Sequence, residues 1–251
     1  MMSGPLSPAD VATFVRDGYV RLPAAVPREF CKRAVQSGHG GWNPPFRFPR
    51  LTSAMGQLIG PDDRWTDPYG IECTQRGEGT DCLQMHVEPP YDYRGLPGAY
   101  GIRERGSGRA YGGNWALYVF IILDSVCDPT AVVVGSQHDG PALVAACEPD
   151  ETFAELERWR RIETAVYTAH VATPFDPDAV ALLTGDIGDA FLTHALLAHS
   201  IFPVHRGGGF YGLSGPLFAT PGHTYRTTGD LWPIDRALLT DDLRTNEGMA
   251  R

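Results

Sequence analysis

The run from Asn114 to Val126, Asn-Trp-Ala-Leu-Tyr-Val-Phe-Ile-Ile-Leu-Asp-Ser-Val, is the most apolar segment of the 251-residue chain. At this length it falls short of the roughly 20 residues a membrane helix needs. Rich in β-branched and aromatic side chains and bounded by turn residues, it reads as a central strand. A central strand requires partners, and the chain supplies them. Asp128-Pro129 leads into Ala131 to Val134 as a hairpin-like return, and Gly135 to His138 turns out of it. Further strands are expected at Gly70 to Thr74, around His86, at Ala179 to Leu183, at Ala190 to Leu192 and at Phe210 to Ala219.

Helices are expected mainly at the start. Ser7 followed by Pro8 and Asp10 has the form of a helix N-terminus, with a hydroxyl cap, proline in the first turn and an acid near the positive end of the helix dipole. Val11, Phe14 and Val15 then share one face, and Asp17-Gly18 ends the helix. Tyr19 to Leu22 alternates as a short strand, and Pro27 to Val35 reads as a second helix. Residues 36–70, rich in Gly, Pro and Trp, read as loops and irregular pieces. Residues 150–169 favour an inserted helix, and a short late helix is expected around Ile234 to Leu239. Without repeats or a clean boundary, residues 1–251 read as a single domain, with 1–70 packing on the strands. The Gly-rich loop 89–113, which carries Tyr91, Tyr93, Arg94, Arg103, Arg105 and Arg109, reads either as a lid over a substrate or as a solvated excursion.

Composition narrows the function classes. With 21 basic and 30 acidic residues the formal net charge is −9, which disfavours a nucleic-acid backbone or an anionic membrane as partner. The five cysteines, Cys31, Cys73, Cys82, Cys127 and Cys147, are odd in number, dispersed and free of any C-x-x-C pair. That pattern points to reduced thiols and a cytoplasmic location rather than a disulfide frame or zinc knuckle.

The chemistry-bearing motif is His86-Val87-Glu88. Side chains two apart on a strand share a face, so an imidazole and a carboxylate would project together, two-thirds of a 2-His-1-carboxylate iron site. The plain alternative is a half-buried strand whose His and Glu face water. A third ligand would come from Gly188-Asp189-Ala190-Phe191-Leu192-Thr193-His194-Ala195-Leu196-Leu197-Ala198-His199-Ser200, where His194 and His199 compete. His138, His170, His205 and His223 read as surface or turn histidines.

Four pieces in this order resemble the phytanoyl-CoA dioxygenase family of iron(II)- and 2-oxoglutarate-dependent oxygenases. They are the Asp10-to-Leu22 opening, His86-x-Glu88, Leu123-Asp124 followed by Ala131 to His138, and Gly188-Asp189 with His199 ten residues beyond the aspartate. The resemblance implies an all-β core with flanking helices, a double-stranded β-helix or jelly roll. It also implies a metal site of His86, Glu88 and His199 holding Fe(II), with 2-oxoglutarate and O2 as co-substrates. It favours His199 over His194, which becomes either a core residue or one that supports the ligands without binding the metal.

Two departures stand out. Glu88 replaces the usual aspartate, and a carboxylate at this position fills the place a halogenating relative gives to chloride. The co-substrate arginine, usually found about where Gly209-Phe210 stand, is displaced to Arg206, with Arg226 or an arginine of residues 94–109 as substitutes. A guanidinium fork suits the far carboxylate of 2-oxoglutarate. Gln84, Trp115 and Ser200 are further co-substrate candidates, and Tyr91 and Arg94 are substrate candidates. By resemblance the reaction is oxidation of an unactivated C–H, as hydroxylation or oxidative ring closure. The Tyr-, Arg- and Gly-rich loop 89–113 predicts a polar, sugar-containing small molecule rather than an acyl-CoA, with the orthosomycin antibiotic branch as the narrower expectation. A non-catalytic jelly-roll sugar-binding module and a zinc-dependent hydrolase are the alternatives from other classes.

Overall fold

The computed structural model describes residues 4–37, 48–60, 65, 69–75, 102–103, 110–111, 116–125, 129–138, 179–201, 210–215, 226 and 228–239. Helix α1 runs Pro8–Asp17 and begins with a reciprocal cap. The Ser7 amide donates to the Asp10 carboxylate at 2.8 Å and the Asp10 amide donates to Ser7 Oγ at 3.2 Å. It ends at Gly18, whose φ of 83° is left-handed and whose amide donates to the Phe14 carbonyl. A Cβ at Gly18 would lie 2.3 Å from Gln137 Oε1 and 2.7 Å from Leu197 Cδ1, so the position also serves close packing.

Strand β1 (Tyr19–Leu22) and helix α2 (Arg28–Ser37) follow where the pattern predicts them. Helix α3 (Pro49–Ile59) lies within the stretch read as loops, which is thereby corrected. Its buried residues Leu51, Ala54, Met55, Leu58 and Ile59 recur at helical spacing.

The remaining elements are β2 (Tyr69–Gln75), the short pair β3 (Ile102–Arg103) and β4 (Ala110–Tyr111), β5 (Leu117–Ile122) and β6 (Thr130–Val133). After a 3-10 turn at Ser136–His138 come β7 (Val180–Leu183), β8 (Ala190–His194), β9 (His199–Ile201), β10 (Phe210–Gly215) and a one-turn helix α4 (Pro233–Arg236). Apart from β3 and β4, the expected lid 89–113 and the expected helix 150–169 lie outside the described residues.

Besides the two-stranded β3-β4 pair, the described strands form two larger antiparallel sheets, one ordered β1-β8-β5-β10-β2 and one ordered β7-β6-β9. Strand β5 is buried along its whole length, and its alternation explains how. Leu117, Val119 and Ile121 join a core with Phe14, Phe30, Cys31, Met55, Leu58 and Ile234, the inner faces of the helices. Tyr118, Phe120 and Ile122 pack instead with Phe191, with Val132 and Leu183 of the second sheet, and with Leu197. The order of layers is therefore helices, five-stranded sheet, three-stranded sheet. Cys31 is a free thiol, fully buried in the first core, and burial raises its pKa to about 11, which keeps it protonated and inert.

Candidate metal centre

The chain passes from one sheet to the other between β8 and β9, and the crossing is the turn 195–198. It begins at His194, whose ring is fully buried with both nitrogens engaged. Nδ1 accepts from the Leu196 amide at 3.0 Å, and Nε2 lies 3.2 Å from the Ile234 carbonyl. A carbonyl only accepts, so Nε2 carries the proton and the imidazole is neutral. Burial drives its pKa down to about 3, which the Ile234 bond only partly offsets. With one nitrogen donating and the other accepting, His194 joins the turn to α4, and both ring nitrogens are committed within the protein.

His199 is built differently. It opens β9 opposite Val132 of β6, and its ring is 6% exposed between the two sheets. The ring centroid lies 5.7 Å from that of Tyr118 and 5.5 Å from that of Phe120, the latter edge-on. Its Nδ1 is 2.9 Å from the Leu197 carbonyl, an acceptor that fixes a proton on Nδ1. A backbone carbonyl on one ring nitrogen is the usual way a protein orients a histidine that binds a metal through the other. The donor chemistry of His199 thus suits iron or another divalent first-row metal.

The Gly188-Asp189 pair that precedes β8 has a structural task. Gly188 has a φ of 96°, and a Cβ there would lie 2.3 Å from the Val26 carbonyl oxygen. Its amide donates to the Ile122 carbonyl and its own carbonyl accepts from the Val26 amide, both at 2.9 Å. Asp189, 3% exposed, accepts from the Ala24 amide at 2.8 Å, the Asp186 amide at 2.9 Å and Arg21 Nε at 2.9 Å. Burial alone would raise its pKa, but the two amides and Arg21 together outweigh burial and hold the carboxyl below its ordinary value. The pair therefore clamps the segment between β1 and α2 to the five-stranded sheet.

Of the predicted site residues, His199 is described in full and Ser200 by its backbone, which pairs with Ala131. His86, Glu88, Gln84, Tyr91, Arg94, Trp115 and Arg206 lie outside the described residues, as does the side chain of Ser200. Among the described residues no group of three His, Cys, Asp or Glu could hold a metal. Arg226 donates its amide to Asp235, whose helix packs on α1 and α3, so its backbone belongs to the helical layer rather than to the strand of His199. A cleft of about 730 Å³ lined by Arg21, Arg28, Phe48, Arg50 and Ile187 adjoins the Gly188-Asp189 clamp. It contains no histidine and is separate from His199.

Sequence reasoning missed the hold on the turn that delivers His199. Ser136 Oγ, in a residue 5% exposed, accepts from the Ala198 amide at 2.9 Å, and the Ala198 carbonyl accepts from the Val133 amide at 2.9 Å. A serine at the first position of a tight turn is the available signal, but its distant partner is not visible along the chain.

No protein-family model and no curated protein matches this chain. Solved structures do. Apo HygX from Streptomyces hygroscopicus superposes with a TM-score of 0.50 at 14% identity, covering 90% of this chain and 95% of its own. This chain shares its fold with HygX. The non-heme alpha ketoglutarate dependent carbocyclase SnoK from nogalamycin biosynthesis gives 0.49 at 14% identity, over 92% of this chain and 99% of that one. HygX with nickel, 2-oxoglutarate and hygromycin B bound gives 0.46 at 15% identity, over 92% and 96%. Among the described residues no helix is long and apolar enough to cross a membrane.

Proposed function

We propose that this chain is a non-haem iron(II)- and 2-oxoglutarate-dependent oxygenase built on a double-stranded β-helix. Its substrate is a polar, sugar-containing small molecule of specialised metabolism. The observation that carries the reading is His199: a buried histidine that opens β9 between the two sheets, with Nδ1 committed to the Leu197 carbonyl. The fold shared with HygX supports it, and HygX has been solved with iron and with nickel and 2-oxoglutarate.

His199 would hold the metal with His86 and Glu88, leaving coordination positions for 2-oxoglutarate and O2. The bound metal supplies oxidation of an unactivated C–H at the expense of 2-oxoglutarate and O2. The chain's own residues bind, orient and exclude water. Tyr118 and Phe120 form an apolar wall beside His199 that keeps bulk water away. Arg206 would pair with the far carboxylate of 2-oxoglutarate, and Gln84, Trp115 and Ser200 would complete the co-substrate pocket. Tyr91 and Arg94 would meet the substrate.

Two Tyr-, Arg- and Gly-rich decades around these residues suit a glycosylated substrate better than an acyl-CoA. Hydroxylation and oxidative ring closure such as orthoester formation are both within this chemistry.

The test is anaerobic addition of iron(II) and 2-oxoglutarate to purified protein. The expected result is a visible metal-to-ligand charge-transfer band that His199→Ala abolishes and His194→Gln retains. A sugar-binding module or zinc hydrolase gives no band, and its absence from folded wild-type protein would overturn the reading.

A further inference from the structure

Strand β9 is three residues long and lies at the edge of the described three-stranded sheet, joined to β6 by the pairs Thr130↔Ile201, Ala131↔Ser200 and Val132↔His199. Backbone pairing is a poor guide to register in so short a strand. A slip of two residues preserves which face each side chain takes while moving it by two positions along the sheet. A histidine that must meet other ligands at one metal cannot tolerate such a displacement, so a partner that does not repeat along the strand has to set the register.

We propose that Ser136 is a positioning residue for the metal site, its hydroxyl holding the Ala198 amide and so fixing where His199 enters between the sheets. This rests on the reading of His199 as a metal ligand. Three observations converge on the residue before His199. Ser136 Oγ takes the Ala198 N–H, the Val133 N–H takes the Ala198 carbonyl, and Ala198 is fully buried, so neither group can turn to water instead.

The preceding turn is held as firmly. The Leu197 amide donates to the His194 carbonyl, and the Leu197 carbonyl receives His199 Nδ1. Ser136 itself sits on an anchored turn. The Gly135 amide donates to the Asp17 carbonyl at 3.0 Å, and Gln137 Nε2 donates to the Arg16 carbonyl at 3.2 Å. The C-terminal end of α1 therefore braces the serine that places His199. Ser136 touches neither substrate nor metal and acts through Ala198.

The experiment titrates iron(II), in the presence of saturating 2-oxoglutarate and without oxygen, into wild type, Ser136→Ala, Ser136→Cys and Gln57→Ala. The charge-transfer band gives the metal affinity, nickel(II) calorimetry gives it independently of the band, and thermal melting runs in parallel. Gln57 bonds Leu6 far from β9 and serves as a control for general destabilisation. Ser136→Ala is expected to weaken metal binding about 10–100-fold, the range found when groups orienting a ligand are removed. Ser136→Cys, similar in shape but a weaker acceptor, should give a smaller loss, and it carries the test if the alanine variant does not fold. Gln57→Ala should lower the melting temperature while leaving metal affinity within about threefold, well inside the range expected for Ser136. Wild-type affinity in both serine variants would overturn the proposal and leave the oxygenase reading standing. An equal loss in Gln57→Ala would also overturn it, by tracing the effect to stability. Failure of the wild-type protein to bind either metal would overturn both.

Discussion

Gly188 offers the sharpest test of how the N-terminal segment is fastened to the sheet. Replacing it with alanine requires a side chain at a φ of 96°, and the new Cβ would lie 2.3 Å from the Val26 carbonyl oxygen. The obstacle is backbone, so relief requires moving Val26, whose amide is bonded to the Gly188 carbonyl at 2.9 Å. Backbone strain of this kind costs about 1–3 kcal/mol and a lost amide bond about 1 kcal/mol more, so the expected penalty is about 3–4 kcal/mol once the displaced packing is included. For a chain of this size each kcal/mol moves the melting temperature by about 2–4 °C, which predicts a fall of about 6–16 °C.

Gly56 is the matched control. It lies inside α3, and a Cβ there meets nothing within 4 Å. Gly56→Ala should stabilise by about 0.4–1 kcal/mol, through reduced freedom of the unfolded chain and better helix propensity. Differential scanning calorimetry of the two variants decides the matter. A Gly188→Ala melting point within about 2 °C of wild type, less than one kcal/mol of penalty allows, would refute the reasoning. So would a Gly56→Ala variant less stable than Gly188→Ala.

Two further outcomes are expected. His194 stays neutral in the fold down to about pH 3, while in the unfolded chain it binds a proton near 6.5, so its contribution is complete above pH 6.5 and is lost as pH falls from there towards 3. At about 1.4 kcal/mol per unit this amounts to about 2 kcal/mol by pH 5, and urea titrations should show His194→Gln with a flatter pH dependence over that range. Asp189 is held below its ordinary value, so its contribution is present above about pH 4 and declines at lower pH. Asp189→Asn, which turns an amide N–H towards Arg21 and Asp186, should cost about 2 kcal/mol at neutral pH in the same assay and lose that difference in acid.

Much of the frame was legible because local chemistry dictates it. The Ser7-Pro8-Asp10 cap, the Gly18 stop and the apolar run that became β5 each depend on neighbours a few residues away. The reading of His194 as a core histidine was legible too, and the structure gives it a hydrogen bond at each ring nitrogen. Helix α3 was missed for a physical reason. Thr52, Ser53 and Gly56 are weak helix formers, and the Pro- and Gly-rich flank hides a helical spacing that becomes stable only when Leu51, Met55 and Leu58 find the sheet. The Gly188-Asp189 pair was legible as a turn entering a strand. Its grip on Arg21 and Ala24 was not, because that partnership is made across most of the chain. The same holds for Ser136, whose partner Ala198 is 62 residues away.

The antiparallel pairing of β1 with β8 has a consequence for biogenesis. The ion pair between Arg21 and Asp189 closes a loop of 168 residues. At translation rates of about 5–20 residues per second, β1 emerges from the ribosome on the order of ten to thirty seconds before its partner exists. Throughout that delay the oily sides of the first three helices have no sheet to rest on. Synthesis of this protein should therefore depend on chaperone occupancy of its nascent N-terminal third, and slowing elongation should lower the yield of native protein rather than raise it.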